Sequence, residues 1–386
     1  MCINSSLIEV KEGCARIYVP DLSRYVDPAH APVFYNPNMI LNRTLSTLCI
    51  EAYRRFTGKD SLSICEPLSG TGVRGIRYAL EVSNVSKVVI NDVDEKAYKL
   101  MLMNVELNNV KDVVKVFNDD ASILMLKLAR NEKFDIVDID PFGSPIPFIR
   151  AAFKLIGNEG MLCVTATDLA VLMGTYMDKC LRRYHAKPLR ITFSRELGLR
   201  ILIGSIARIG LEQDIGIRPL MAYWEKHYYR LYLLVEKDVA SAKETLQNLG
   251  YAIYRRDGER WLINSYPHIE IRLSNLKVSG PLWIGKLCDV DFMRSLKHVT
   301  KLRDQVLNGS LKKLLNLLFE EATATPLYYT SSEVFKGLGR EYGRDVIIEL
   351  LRELGYDSWR THFDGKGFKT IARFRDIKKI VAKYFS

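Results

Sequence analysis

Leu62-Ser63-Ile64-Cys65-Glu66-Pro67-Leu68-Ser69-Gly70-Thr71-Gly72-Val73-Arg74-Gly75 decides the fold. The run 62–65 reads as a buried strand, and residues 73–81 carry a helical pattern. Between them, Gly70 to Gly75 matches G-x-G-x-x-G literally. Glycines there let the backbone turn tightly and approach a ligand at a helix N-terminus. Asp92 ends the next strand, where an acidic residue would hold a ribose hydroxyl. The alternative is a tight turn without ligand, and the strand–loop–helix context argues against it.

Outward from this loop the chain alternates. Strand-like runs at 62–65, 87–90, 113–117, 134–139 and 161–165 bracket helical stretches near 73–81, 95–108, 121–130 and 145–156. That order predicts a parallel sheet with helices on both faces. A helix at 195–210 leads to a closing hairpin, 217–224 and 227–235, turning at Glu225-Lys226. Plain dinucleotide-binding folds end on a parallel strand; a terminal hairpin is the pattern of class I methyltransferases. Upstream, 7–19 reads as a hairpin around Glu12-Gly13. Asn36-Pro37 opens a helix whose apolar face runs Leu45, Leu48, Cys49, Ala52, Tyr53, Phe56 and which Gly58 ends.

Past residue 238 the alternation stops. A helix at 241–249, a hairpin around Asp257-Gly258 (251–256 and 261–264), a break at Gly280-Pro281, helical runs at 289–321 and 343–354, and a last hairpin, 359–363 with 368–374, follow in order. Helices followed by a basic hairpin suggest a winged-helix-like end. The expected fold is thus α/β, a Rossmann-like class I sheet with a second α+β domain at the C-terminus. Residues 1–60 would pack on a catalytic domain at 61–236, with 237–386 as the second domain.

The 56 Lys and Arg against 45 Asp and Glu give a net charge of +11, which favours a polyanionic partner such as RNA. No apolar run reaches the roughly 18 residues that cross a bilayer. Met1-Cys2-Ile3-Asn4 lacks a basic segment followed by an apolar one, so a cytoplasmic protein without signal peptide is expected. Seven scattered cysteines without a C-x-x-C pair argue against disulfides and a cysteine zinc site, and most read as small buried residues.

The glycine loop alone does not choose between a dinucleotide and S-adenosylmethionine. Glu66-Pro67, at the end of the first strand, suits a sulfonium and an amino group. Asp120-Ala121 puts a carboxylate and a backbone amide where an adenine edge would lie. Arg74 suits a methionine carboxylate or a pyrophosphate equally. The third detail is Asp140-Pro141-Phe142-Gly143, after the apolar run 134–139. An exocyclic amino group on a base is a poor nucleophile, because its lone pair is delocalised into the ring. A site that methylates it must accept its N–H bonds and hold the flat base by stacking. Asp140 and the Pro141 carbonyl can accept; Phe142 can stack. A strand ending in a Pro-Phe-Gly turn is the bland alternative. Asp138 shares a face with Asp140, either as an orienting group or as a carboxylate bonded to nearby amides, and Asp135 faces the other way. Phe34-Tyr35 before the first helix reads as a hydrophobic staple, or as a second stacking face.

Together these residues resemble the tRNA (guanine26-N2)-dimethyltransferases of the Trm1 family, archaeal type. The carrying stretches are Pro32-Val33-Phe34-Tyr35-Asn36-Pro37 with Asn42-Arg43, Leu68 to Arg77, Asn91-Asp92, Asp119-Asp120-Ala121 and Asp138-Ile139-Asp140-Pro141-Phe142-Gly143-Ser144-Pro145. Val164 to Asp168, Gly280 to Gly285 and Arg360-Thr361-His362-Phe363 extend the likeness over nearly the whole chain. The resemblance implies S-adenosylmethionine as donor, tRNA as partner, and N2-methyl- then N2,N2-dimethylguanosine as products. By motif position, Arg43, Arg74, Asp92, Asp120 and Ala121 would bind the donor. Phe34 and Phe142 would sandwich the guanine, with Asp140 on its amino group. Some relatives carry cysteine pairs in the second domain; this chain has only Cys288 there, so no metal is expected. A monomer is expected.

Overall fold

The computed structural model describes residues 7–25, 27–264 and 275–385. Cys2, read among the cysteines above, lies outside them; of the six others only Cys14 is exposed. The chain divides into two compact units, one of Met1–Thr165, Tyr232–Glu236 and Arg294–Leu311, the other of Ala166–Leu231, Lys237–Met293 and Lys312–Ser386.

The hairpin β1 (Leu7–Glu12) and β2 (Ala15–Pro20) pairs antiparallel around Gly13. Helix α1 (Ile40–Thr57) follows a short turn capped by the Asn36 side chain. It stops at Gly58, whose left-handed backbone lets its N–H reach the Arg54 carbonyl. Then come β3 (Leu62–Glu66), α2 (Val73–Glu81), β4 (Val85–Asn91), α3 (Glu95–Leu107), β5 (Val114–Phe117), α4 (Ala121–Leu128), β6 (Phe134–Ile139), α5 (Ile146–Leu155) and β7 (Ile156–Ala166). The pairs β3–β4, β4–β5, β3–β6 and β6–β7 are all parallel. The expected alternation is therefore present, element by element, with β7 beginning five residues early.

Helices α6 (Leu169–Leu172), α7 (Met177–Tyr184) and α8 (Ser194–Leu211) precede the hairpin β8 (Gly216–Glu225) and β9 (Tyr228–Glu236), which completes a seven-stranded sheet in the order β5-β4-β3-β6-β7-β9-β8. The chain steps outward from β3 to β5, returns to β6, and steps the other way. Right-handed crossovers then put α2 and α3 on one face and α4 and α5 on the other. The reversal lies between β3 and β6, where a crevice opens beyond the strands' carboxyl ends. Glu66 ends β3 and Asp140 follows β6, so topology alone brings them to that crevice.

Helix α9 (Val239–Gln247) leads to β10 (Leu249–Arg255), β11 (Arg260–Ile263) and β12 (Leu276–Trp283), an antiparallel sheet in the order β11-β10-β12. The single helical run expected at 289–321 is two helices, α10 (Val290–Leu302) and α11 (Gly309–Glu321). Asn308-Gly309 breaks it, the Asn308 side chain accepting from the Leu311 N–H to start the second helix. Next are β13 (Tyr329–Thr330), α12 (Ser331–Val334), α13 (Arg344–Glu353), β14 (Ser358–Arg360), β15 (Gly367–Thr370) and α14 (Phe374–Phe385). The last sheet has the order β13-β15-β14. Its hairpin is shorter than expected, because 374 onward is helical with Phe374, Ile377 and Val381 buried at helical spacing.

Candidate active site

The glycine loop does three separate things. Gly70 stands with φ +54°, and a Cβ there would lie 3.0 Å from the Phe34 carbonyl oxygen, so the 32–37 segment can pass close by. Gly72 begins α2 in a left-handed conformation and has no side chain to cap it. Glu66 does so from the neighbouring strand, its Oε2 accepting the Gly75 N–H at 2.9 Å. Any side chain at Gly75 would strike Ile90.

One guanidinium organises the crevice. Arg74 is buried. Its Nε lies 3.3 Å from Glu66, one Nη 3.8 Å from Asp138 and 3.1 Å from the Ser46 hydroxyl, and the other Nη donates to Asp140. Tyr78, one turn after Arg74 on α2, donates to Asp138 at 2.6 Å. Asp138 and Asp140 thus share a face, while Asp135 on the other bonds Lys59 and Ser63. Asp138 is held by a phenol as well as the guanidinium, not by amides alone. Burial pushes the Glu66 carboxyl up to about 8; Arg74 pulls it down, and Asp138 and Asp140 push it back up. Three carboxyl groups share one guanidinium, so the crevice is acidic.

Around the crevice the predicted residues fall as follows. Asp92 accepts from the Gly70 and Asp94 N–H groups. Asp120 caps α4, accepting from the Ser122 and Ile123 N–H groups through one oxygen. Ala121 is the first residue of α4, and its N–H has no partner among the described residues. Buried Asn91 joins the strand ends, donating to the Pro67 and Asp119 carbonyls at 3.0 Å each and accepting from the Asp119 N–H. Beside Asp92, Val93 is 73% exposed. Arg43 is buried, and it grips Glu12 with two bonds of 2.6 Å and the Asn36 carbonyl at 3.1 Å. Its guanidinium also lies 5.2 Å from the centre of the Tyr35 ring. Burial pushes Glu12 up, but Arg43 and Arg77 outweigh it and hold that carboxyl below its ordinary value.

The aromatic pair is brought together. Val33 and Tyr35 are buried, and Phe34 between them is half-exposed. Phe142 is 68% exposed, and its ring meets that of Phe34 edge-to-face with centroids 4.5 Å apart. A base held between them must part and rotate these rings. Sequence reasoning missed Tyr78, Ser46 and Val93. Tyr78 had a signal, its i,i+4 spacing from Arg74; Ser46 lies 28 positions away and had none.

S-adenosylmethionine fits this chemistry. Its two positive charges, a sulfonium and an amino group, would suit an acidic crevice. A glycine loop at the switch point of a parallel sheet that ends on the β8–β9 hairpin is a Rossmann-like methyltransferase fold. A family model described as N2,N2-dimethylguanosine tRNA methyltransferase matches residues 13–382, and the chain belongs to that family. A tRNA (guanine(26)-N(2))-dimethyltransferase of Pyrobaculum neutrophilum is 41% identical over 97% of this chain and 99% of its own length. One of Thermococcus kodakarensis is 37% identical over the same shares. The structure of Trm1 from Pyrococcus horikoshii with S-adenosyl-L-methionine matches with a TM-score of 0.85 at 34% identity, covering 97% of this chain and 99% of that one. Among the described residues no group of three or more His, Cys, Asp or Glu could hold a metal, and no helix is long and apolar enough to cross a membrane.

Proposed function

We propose that this chain methylates the N2 amino group of guanosine 26 in tRNA, once and then twice. The observation that carries the reading is the crevice itself, where an acceptor carboxylate, an exposed aromatic pair and an excess of acid meet at one switch point. S-adenosylmethionine, when bound, supplies an electrophilic methyl group on a sulfonium that leaves as a neutral thioether.

Phe34 and Phe142 part to hold the flipped guanine; stacking at about 1–3 kcal/mol per face offsets the few kcal/mol of extrusion. Asp140 accepts an N2–H bond and draws the nitrogen toward tetrahedral geometry, aiming its lone pair at the methyl group. As the N–C bond forms, Asp140 or water takes the surplus proton. Arg74 holds Asp140 in place, and Tyr78 with Asp138 holds Arg74. Orientation of this kind supplies a large share of such rate gains. Asp92 receives the ribose hydroxyls and Asp120 with the Ala121 amide the adenine edge. Arg43 and the Arg74 side of the crevice receive the methionine end. Residues 61–236 carry the transfer and 237–386 help hold the tRNA. The acting species is a monomer in the cytoplasm.

Incubation with unmodified tRNA and methyl-labelled donor, then nucleoside analysis, tests this. N2-methylguanosine should appear first and N2,N2-dimethylguanosine later, both at position 26. Absence of label, or label on another base, overturns the reading.

A further inference from the structure

The positive charge of this chain is not evenly spread. The second unit holds 33 Lys and Arg against 23 Asp and Glu; the first holds 23 against 22. Almost the whole net charge of +11 therefore belongs to the second unit, whose field attracts a polyanion. The sequence α11-β13-α12-α13-β14-β15, with strands ordered β13-β15-β14, follows the element order of a winged helix. In that order α13 would be the helix offered to nucleic acid. It carries Asp345, Glu349 and Glu353 against Arg344 and Arg352, so charge argues against that face.

A different surface fits. The β10–β11 hairpin and residues 373–375 line a groove of about 360 Å³ with Arg255, Glu259, Arg260, Trp261, Arg373 and Arg375. Its floor is rigid. The Arg260 guanidinium lies 4.3 Å from the ring centres of both Phe193 and Tyr329, and donates to the Tyr328 carbonyl and to Glu333 at 2.9 Å each. Strand alternation then turns Trp261 outward, 39% exposed. Gly258 rests on Phe374; a Cβ there would come within 2.2 Å of the ring, so only glycine lets the hairpin sit this close. Phe374 is buried, while Arg373 and Arg375 on either side are exposed. The one acid in the groove, Glu259, accepts the Arg375 backbone N–H at 3.0 Å and so ties the two segments together. Arg255 pairs with Asp257, Arg375 stands 3.8 Å from Asp376, and the Arg373 guanidinium has no partner among the described residues.

We propose that this groove is a docking site for the RNA backbone, in which Arg373, Arg375 and Arg255 take successive phosphates and Trp261 packs on an adjoining sugar or base. Guanidinium forks match phosphate oxygens, and an exposed indole stacks on any base. The groove gives affinity without reading sequence. The inference rests on tRNA being the substrate, and names where the second unit grips it.

The test uses the full chain and an unmodified tRNA transcript, with binding measured over a range of salt. R373E/R375E should weaken tRNA binding at least tenfold near ~0.1 M salt and lower the slope of log K against log salt by about 1–2. W261A should weaken binding several-fold with the slope unchanged. Donor affinity should stay at the wild-type value in both. Should charge reversal lower the thermal midpoint, R373Q/R375Q carries the same expectation with a smaller loss. Unchanged tRNA affinity and slope in the arginine variants overturn the groove alone. A wild-type chain that neither binds nor methylates tRNA overturns the function on which it rests.

Discussion

Glu66 in the first unit and Glu321 in the second are both buried carboxylates, and their surroundings treat them oppositely. Glu66 shares one guanidinium with Asp138 and Asp140, and its carboxyl is pushed up to about 8. Glu321 accepts from the Thr361 hydroxyl at 2.7 Å, from the His362 ring at 2.5 Å and from Lys369 at 2.8 Å. Burial pushes it up too, but Lys369 and His362 outweigh burial and hold it well below its ordinary range. Nearby Glu196 is met by Arg200 and Lys369 in the same way. The backbone N–H of Trp224 donates to His362 Nε2, so the ring proton sits on Nδ1 and points at Glu321. Charge that is met inside the protein marks structure. Charge left unmet at a crevice marks a place for a cationic ligand.

That contrast can be broken most directly by removing each charge. Glu321→Gln leaves Lys369 underpaired in the interior and should cost about 3–5 kcal/mol of stability, read from denaturant midpoints. Glu66→Gln imitates a carboxyl already holding its proton at neutral pH, so the free protein should keep its stability while donor affinity falls. Equal destabilisation by the two changes would end the distinction. On the activity side, Asp140→Ala should lower kcat by roughly 10²–10³ with unmodified tRNA, the range seen when one preorganised hydrogen-bonding group is lost. Near-normal methylation by this variant would remove the carboxylate from the mechanism. Phe142→Ala removes an exposed ring, so the fold should be unaffected while tRNA binding weakens by about 1–3 kcal/mol. A loss of thermal stability instead would make Phe142 a packing residue.

The gentlest probe is pH. Glu66 is raised above its ordinary 4.5, so the folded chain keeps a proton that the unfolded chain releases. Its contribution to stability is full below 4.5 and fades as pH rises through about 8. Glu321 is lowered from the same 4.5, so its contribution is full above that value and is lost as pH falls into the strongly acid range. The alkaline slope should vanish in Glu66→Gln and persist in Glu321→Gln, measured as unfolding free energy against pH. A cationic donor displaces the Glu66 proton, so calorimetry near pH 7 in two buffers of different ionisation enthalpy should show proton release on binding. Identical heats would mean that Glu66 keeps its proton.

The parallel strands were legible because each is a short apolar run bounded by turn residues, and the helices between them because their apolar positions recur at helical spacing. Gly70, Asp92, Asp120 and Asp140 each follow a successive strand, which puts them all at one sheet edge. The end of α10 was not legible: 289–321 keeps its helical pattern through the residues where Asn308 restarts it. Nor was α14: the residues leading into it alternate like a strand, and only from Phe374 do Phe374, Ile377 and Val381 find a core at helical spacing.

Sequence determined which strand ends meet at the crevice, since strand order and the two-residue alternation of a strand are local properties repeated along the chain. Only tertiary structure decided whom they face. That Arg74 bonds Glu66 and Asp140, that Arg43 bonds Glu12 across 31 positions, and that Phe34 touches Phe142 depend on elements far apart in the chain. Guanidinium partners follow from which carboxylate burial leaves within reach, and no periodicity along the chain encodes that distance.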